Sequence, residues 1–433
     1  MKKNINFELS GDKIKIRVIA FIIALVVAIG GITYGVYSLL KGSSVKECTY
    51  NIELNVDASY GLYADNVGLI YYVNDDSTTS ADTKYKRVSN YFNVITKEVY
   101  SLIDNKVAYK TSDGFYKITN LYSLNEKPGE ELVVDSRLYS ILKDAYNKTI
   151  NSDSYNIFSG LLENYWDMTI FNEVDVDDSV VEEFRLISSE DNYSLEFNDN
   201  KKSVTFIIKD IDLIKNNKTI QEYYSDENGV LPVLPILSLN TLMDSYYLDY
   251  LAKEMWKEGF TRGVLYTNEG LCLSLGNDNV SSNLYSLYDY ADNEYGYKEL
   301  GEYKTNSRIA FSSIKSFPVF DYEFNNTVRL YSENNDIKSY SVFYNPLTGY
   351  SSSMNIHNSI LLQEGEDVSV VEVMFNNLSL IFSNETSLKE NYRKQDNPFA
   401  LILDGEDKIY TTEEFTLSFI PTDYYDYYEI ILN

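Results

Sequence analysis

Tyr344-Asn345-Pro346-Leu347-Thr348-Gly349-Tyr350 is the stretch that decides how this 433-residue chain is read. Before it, residues 339–343 alternate in the manner of a half-buried strand. Pro346 has no amide for a sheet ladder, and Gly349 tolerates a positive φ, so the chain must leave the sheet here as a shaped loop. Such a loop presents backbone groups and the Thr348 hydroxyl at a strand end. N-P-x-T-G turns are common in themselves, so the neighbouring stretches decide what this one means.

Downstream, residues 357–362 read as a strand, and a helix is predicted over about 367–382, with Val370, Val371, Met374, Phe375, Leu378, Ile381 and Phe382 on its apolar face. Upstream, two strands lead into the loop, after strands 263–266 and 271–275 joined by Thr267-Asn268-Glu269-Gly270. A helix is predicted over 240–258, buried along Leu242, Met243, Tyr246, Tyr250 and Leu251 and stopped by Gly259. Earlier come a strand over 203–214, a helix capped by Asp135, a helix over 86–105, and strands near 50–56 and 67–73. Helices interspersed with hairpins predict an α+β domain of mixed and antiparallel sheet, not a doubly wound parallel one.

The amino terminus carries a different signal. Residues 18–40 contain no charge and, at about 1.5 Å per residue, are long enough to cross a hydrocarbon core of about 30 Å. Lys2, Lys3, Lys13, Lys15 and Arg17 precede the run, which predicts a cytoplasmic tail over 1–17, an uncleaved anchor over 18–40, a linker over 41–48 and an extracytoplasmic domain over 49–433. The expected location is the cell membrane, with a single pass.

Net charge is −28, and residues 1–17 contribute +3, leaving −31 for the rest. Such a domain repels nucleic acid. Cys48 and Cys272 allow at most one disulfide, and no multi-cysteine zinc site. With His357 as the single histidine, no HExxH or multi-histidine metal site exists, and no phosphate-cradling GxxxxGK[ST] loop occurs. Chemistry here would have to rest on carboxylates, hydroxyls, amides or a bound metal.

Over about residues 85–415 the order of elements resembles the ApbE family of flavin transferases, which move FMN from FAD onto a threonine or serine of a target protein. Residues 135–166 are similar to the family's helix followed by a G-x-F-D-x-S/T-x-G-x-L run and a tryptophan, with Tyr155-Asn156 for Phe-Asp. Asn125 sits where the family closes an S-x-I/L-x-x-I/L-N stretch. The helix with Asp249 near its middle resembles G-x-A/V-K-G-x-x-x-D, Thr267 to Gly270 resembles N-x-G-G, and Asn345 to Gly349 resembles H-x-x-D-P-x-T-G. Val371 to Asn376 falls where the family has A-D-A/G-x-A/S-T at the head of its last helix.

The resemblance implies a single large T-fold-type domain, FAD as substrate, Mg²⁺, and an extracytoplasmic flavoprotein acceptor. It assigns Asp249, Thr267, Gly270, Asn345, Thr348 and Gly349 to FAD binding, and Glu372 and Asn376 to the metal; it assigns no catalytic residue. The departures are specific. Asp244 stands for the family lysine, Glu269 for the first glycine of the G-G pair, Val342 for the loop histidine and Asn345 for the loop aspartate. Glu372 and Asn376 replace the aspartate and threonine that help hold magnesium. Two functions therefore stay open: an anchored FMN transferase, or a catalytically degenerate relative that binds a flavin, a flavoprotein or an envelope partner.

Overall fold

A computed structural model describes residues 46–53, 67–75, 78–226 (apart from 112, 113, 115 and 173–175), 229–230, 233–315 (apart from 268, 269, 278–282 and 291–296), 328–341 (apart from 334 and 335), 343–350, 356–412 (apart from 384, 396–398 and 405–407), 416–417 and 427–429. The expected tail and anchor over 1–40, and the departures at Glu269 and Val342, lie outside the described residues. The chain divides into two compact units. The smaller contains, of the described residues, 46–50 of strand β1 (Lys46–Glu53), the end of β2 (Val67–Asp75) and the start of helix α1 (Thr78–Ile103). The expected linker over 41–48 therefore gives way to strand at Lys46, and α1 begins eight residues before the expected start at residue 86.

The larger unit holds residues 51–71 and 88–433. In α1, Val88, Phe92, Ile95, Val99, Leu102 and Ile103 are buried, as the helical spacing predicts. Asn120 caps α2 (Leu121–Glu126) in a capping box with Ser123. β3 (Glu131–Val133) precedes α3 (Ser136–Asn151), capped as expected by Asp135 accepting the Arg137 N–H. Then come α4 (Gly160–Asn172), α5 (Asp178–Ile187), β4 (Tyr193–Asn198) and β5 (Ser203–Ile208), with β3, β5 and β4 forming a small antiparallel sheet. The strand expected over 203–214 stops at Ile208, because the Asp210 carboxylate accepts the N–H groups of Asp212 and Leu213 and starts α6 (Ile211–Lys215). α7 (Lys218–Tyr223) and the two-residue strands β6 (Ser225–Asp226) and β7 (Gly229–Val230) lead to α8 (Asn240–Lys257).

The main sheet comes after α8. β8 (Arg262–Thr267) and β9 (Leu271–Asn277) are the expected hairpin. β10 (Asn283–Tyr290), β11 (Tyr297–Thr305), β12 (Ile309–Lys315), β13 (Val328–Glu333) and β14 (Asp336–Ser341) make five strands where two were expected. β10–β11 and β13–β14 are hairpins outside the main sheet, and their many tyrosines blur the alternation. β15 (Ile356–Glu364), α9 (Val370–Ile381), α10 (Glu385–Arg393), β16 (Phe399–Asp404), β17 (Lys408–Thr411), β18 (Thr416–Leu417) and β19 (Tyr427–Glu429) follow. In the larger unit the main sheet runs β2-β8-β9-β12-β15-β16-β17-β19, antiparallel in every described pairing except β17–β19. The α+β class with a mostly antiparallel sheet is as expected.

α8 and α9 pack against each other and on this sheet. Ala400, Leu401 and Ile402 of β16 are all buried, so side chains on both faces of that strand are covered. α8 is buried nearly all round: Tyr247, Leu248, Ala252 and Met255 join the expected stripe, and so do Asp244, Ser245 and Asp249. A carboxylate inside such a helix must find donors or neutralise. Where Asp249 finds them defines the site.

Candidate functional site

Asn345 folds its own loop. Its Oδ1 accepts the Leu347 N–H at 2.9 Å, its carbonyl accepts those of Thr348 and Gly349 at 3.2 and 2.7 Å, and its N–H donates to the Tyr350 carbonyl at 2.9 Å. Thr348 is exposed, and its Oγ1 accepts the Tyr350 N–H at 3.3 Å. Gly349 has φ +77, and a Cβ there would come within 3.1 Å of Val181 Cγ1 and 3.2 Å of Arg185 Cβ. Its carbonyl accepts the Trp166 Nε1–H at 2.8 Å. The loop is therefore seated on α4 and α5.

Beneath the loop lies a buried polar cluster that the sequence reading missed. The Tyr344 hydroxyl donates to Ser159 Oγ and approaches Glu163 Oε1 at 3.3 Å. Thr241 Oγ1 donates to the same oxygen at 3.0 Å, and Ser238 Oγ donates to Oε2. Burial pushes the Glu163 carboxyl up to about 7, against the hydroxyls of Ser238, Thr241 and Tyr344, which favour its ionised form. No local motif marks Glu163. A glutamate among Gly160, Leu161, Leu162, Tyr165 and Trp166, all buried, was the one available signal.

The segment entering α8 is stitched from several sides. Asn125 pairs with the backbone of Leu237 through both amide atoms, Oδ1 accepting at 2.8 Å and Nδ2 donating at 3.0 Å. Asn105 Nδ2 donates to the same carbonyl at 3.2 Å. The asparagine that the sequence singled out thus fixes the approach to α8. A cavity of about 250 Å³ opens here, lined among others by Asn105, Tyr122, Asn164, Tyr224 and Asn240; none of the expected site residues lines it.

Further along α8, Asp249 Oδ1 accepts the Val370 N–H at 2.8 Å and Oδ2 accepts the Ser369 hydroxyl at 2.5 Å. Ser369 Oγ in turn accepts the Glu372 N–H at 3.3 Å. Two unpaired donors at the head of α9 are satisfied this way. Burial raises the Asp249 carboxyl to about 6, opposed by the Ser369 hydroxyl and the backbone N–H groups of α9.

Glu372 and Asn376 lie one turn apart on α9, and no hydrogen bond joins them. Glu372 Oε1 is 2.5 Å from the Lys148 ammonium of α3, which also lies 3.2 Å from Asp144 Oδ1 and 5.0 Å from the centre of the Phe375 ring. The Asn376 carbonyl accepts Ser379 Oγ at 2.6 Å and Gln395 Nε2 at 3.0 Å. The asparagine directed inward is Asn377, whose Nδ2 reaches Ser312 and Ser359. Magnesium wants a near-octahedral shell of oxygens. The Glu372 carboxylate is occupied by an ammonium, and no three His, Cys, Asp or Glu among the described residues gather to hold a metal. The donor set does not fit the divalent ion.

Thr267 and Gly270 close the β8–β9 turn. Thr267 Oγ1 accepts the Leu271 N–H at 3.2 Å, and the Gly270 carbonyl accepts the Ser313 N–H at 2.9 Å. Gly270 has φ +96, and a Cβ would lie 2.7 Å from the Ser313 carbonyl oxygen. The turn thus lies on β12, whose Ser312 Oγ touches Met374 Sδ of α9 at 3.3 Å. Asp249 meets the head of α9 directly, the Thr267–Gly270 turn reaches it across one strand, and the Asn345–Gly349 loop attaches to the start of α8 through Glu163. Thr241 and Asp249 are eight residues apart on that helix, about 12 Å. The other three stretches thus connect to α8, directly or through α9.

This is the fold of the ApbE flavin transferases. The ApbE protein of Thermotoga maritima superposes with a TM-score of 0.54 at 13% identity, over 84% of this chain and 97% of that one. The apo flavinyl transferase ApbE of Pseudomonas stutzeri gives 0.53 at 10% identity, over 83% and 92%. The flavin transferase ApbE of Vibrio cholerae gives 0.50 at 11% identity, over 88% and 99%. No family model and no curated protein sequence matches the chain.

Proposed function

We propose that this chain is a membrane-tethered ApbE-fold protein whose large domain works outside the cytoplasm as a binding module for a flavin-bearing or envelope partner, and does not transfer FMN. The observation that carries this reading is Asp244. The resemblance puts at this position a lysine that could meet FAD phosphates, and here Asp244 is buried within α8, 8% exposed. Replacing Lys by Asp changes the local charge by two units, and at an effective dielectric near 20 one contact at about 4 Å is worth roughly 4 kcal/mol before solvation losses. A pyrophosphate substrate meets repulsion where it needs a counter-charge. A fold does not keep its activity when the site is replaced.

The transferase reading is favoured by one observation: the Asn345–Gly349 loop keeps a tight, docked shape with Thr348 at the surface. Titrating the full chain in detergent with FAD, wild type against Asp244→Lys, separates the two. On the binding-module reading the variant gains FAD affinity over a wild type that barely binds. Equal, tight binding by both would restore the transferase reading.

A further inference from the structure

The cavity of about 250 Å³ at the start of α8 is built apart from every expected site residue. Its polar groups arrive from separate stretches: Asn105 just after α1, Tyr122 on α2, Asn164 on α4 and Asn240 at the start of α8. Asn105 is 6% exposed; its Nδ2 donates to the Leu237 carbonyl at 3.2 Å, and among the described residues no donor reaches its Oδ1. Buried amide oxygens are otherwise satisfied, so this one is an acceptor kept for something that enters the cavity. Tyr224, also buried, lines the same space with its hydroxyl fixed on the Leu161 carbonyl at 2.7 Å. Among the described residues that line the cavity, the exposed Lys106 is the single charged one; no carboxylate is there, in a chain with 65 acidic residues.

We propose that this cavity binds one sugar ring that carries a carboxylate. A cavity of about 150 Å³ holds benzene, so the volume here suits one substituted six-membered ring. A carboxamide both donates and accepts, as a sugar hydroxyl does, and three carboxamides reach the cavity from different elements. That spread matches hydroxyls arranged around a pyranose rim. A flat heterocycle would set its polar groups in one plane. The rings of Tyr122 and Tyr224 offer apolar faces to the sugar's C–H groups. A cationic ligand would meet Lys106 and no counter-charge, whereas a carboxylate on the ring gains one. The inference goes beyond the flavin reading, and failure of that reading in an FAD titration leaves the sugar titration readable.

The test is saturation-transfer NMR on the full chain, in a detergent without a sugar headgroup, with methyl β-D-glucuronide, methyl β-D-glucoside and adenosine as probes. The glucuronide should saturate with a Kd of about 1 mM, the glucoside should bind about fivefold more weakly, and adenosine should displace neither. Lys106→Gln should bring the glucuronide to the affinity of the glucoside, because only the charge contact goes. Asn164→Leu keeps the side-chain size, removes one amide and should weaken both sugars at least about tenfold. If Asn164→Leu does not fold, as its melting temperature would show, Asn240→Leu makes the same comparison from another wall. No saturable binding of either sugar up to about 20 mM, displacement by adenosine, or unchanged binding in a folded asparagine variant would overturn the proposal.

Discussion

Asp249, in the middle of α8, accepts the first backbone N–H of α9, from Val370, at 2.8 Å. One carboxylate thereby fixes the head of the last long helix on the central one. Asp249→Ala should leave that N–H and the Ser369 hydroxyl short of a buried partner, at a cost of about 1–3 kcal/mol. Asp249→Asn keeps one acceptor and should cost less. Urea unfolding of both variants measures this, and an alanine variant as stable as wild type would remove the capping role.

The Glu163 cluster predicts a pH dependence. Its folded pKa of about 7 lies above the ordinary 4.5, so stability from this group is complete below pH 4.5 and is lost as pH rises to about 7. The total change is about 3 kcal/mol. Asp249, raised to about 6, adds a loss in the same direction between its ordinary 3.8 and 6. Glu163→Gln should flatten the decline between pH 4.5 and 7, measured by denaturant midpoints across that range. An unchanged slope would show that the hydroxyls around Glu163 outweigh its burial.

Gly349→Ala tests how the loop is seated. The residue would have to hold φ +77 and press on Val181 and Arg185, costing about 1–2 kcal/mol. The Trp166 bond to the Gly349 carbonyl should loosen with it. The readout is tryptophan fluorescence, since the chain has two tryptophans and Trp166→Phe identifies the contribution. A spectrum and stability matching wild type would mean that the loop is not held as described.

Topology has its own test. If 18–40 spans the membrane with the basic tail inside, protease added to intact cells should trim everything beyond about residue 45. Protection of the large domain would place it on the other side.

How much of this was legible in the sequence follows from what each residue interacts with. α8 and α9 could be read because their apolar spacing is dense, and Asp135 and Gly259 mark helix ends by local chemistry. α5 was missed, although Asp177 caps it and Val180, Val181, Phe184 and Ile187 form its buried side. Asn345 was legible as a loop former because its bonds reach only to its neighbours in sequence. Glu163 was not, since its hydroxyl partners come from residues 159, 238, 241 and 344. Lys148 was hidden for the same reason: its partner Glu372 lies on a helix 224 residues away, and no pattern within α3 announces it.

The most direct test of the central claim is an optical titration of the full chain in detergent with FAD, with and without Mg²⁺, followed by a search for covalent flavin on a candidate acceptor. If the domain does not run transfer, the titration shows no saturation up to about 100 μM FAD, no effect of Mg²⁺ and no flavin on the acceptor. Saturable, Mg²⁺-dependent FAD binding with FMN appearing on the acceptor would contradict it.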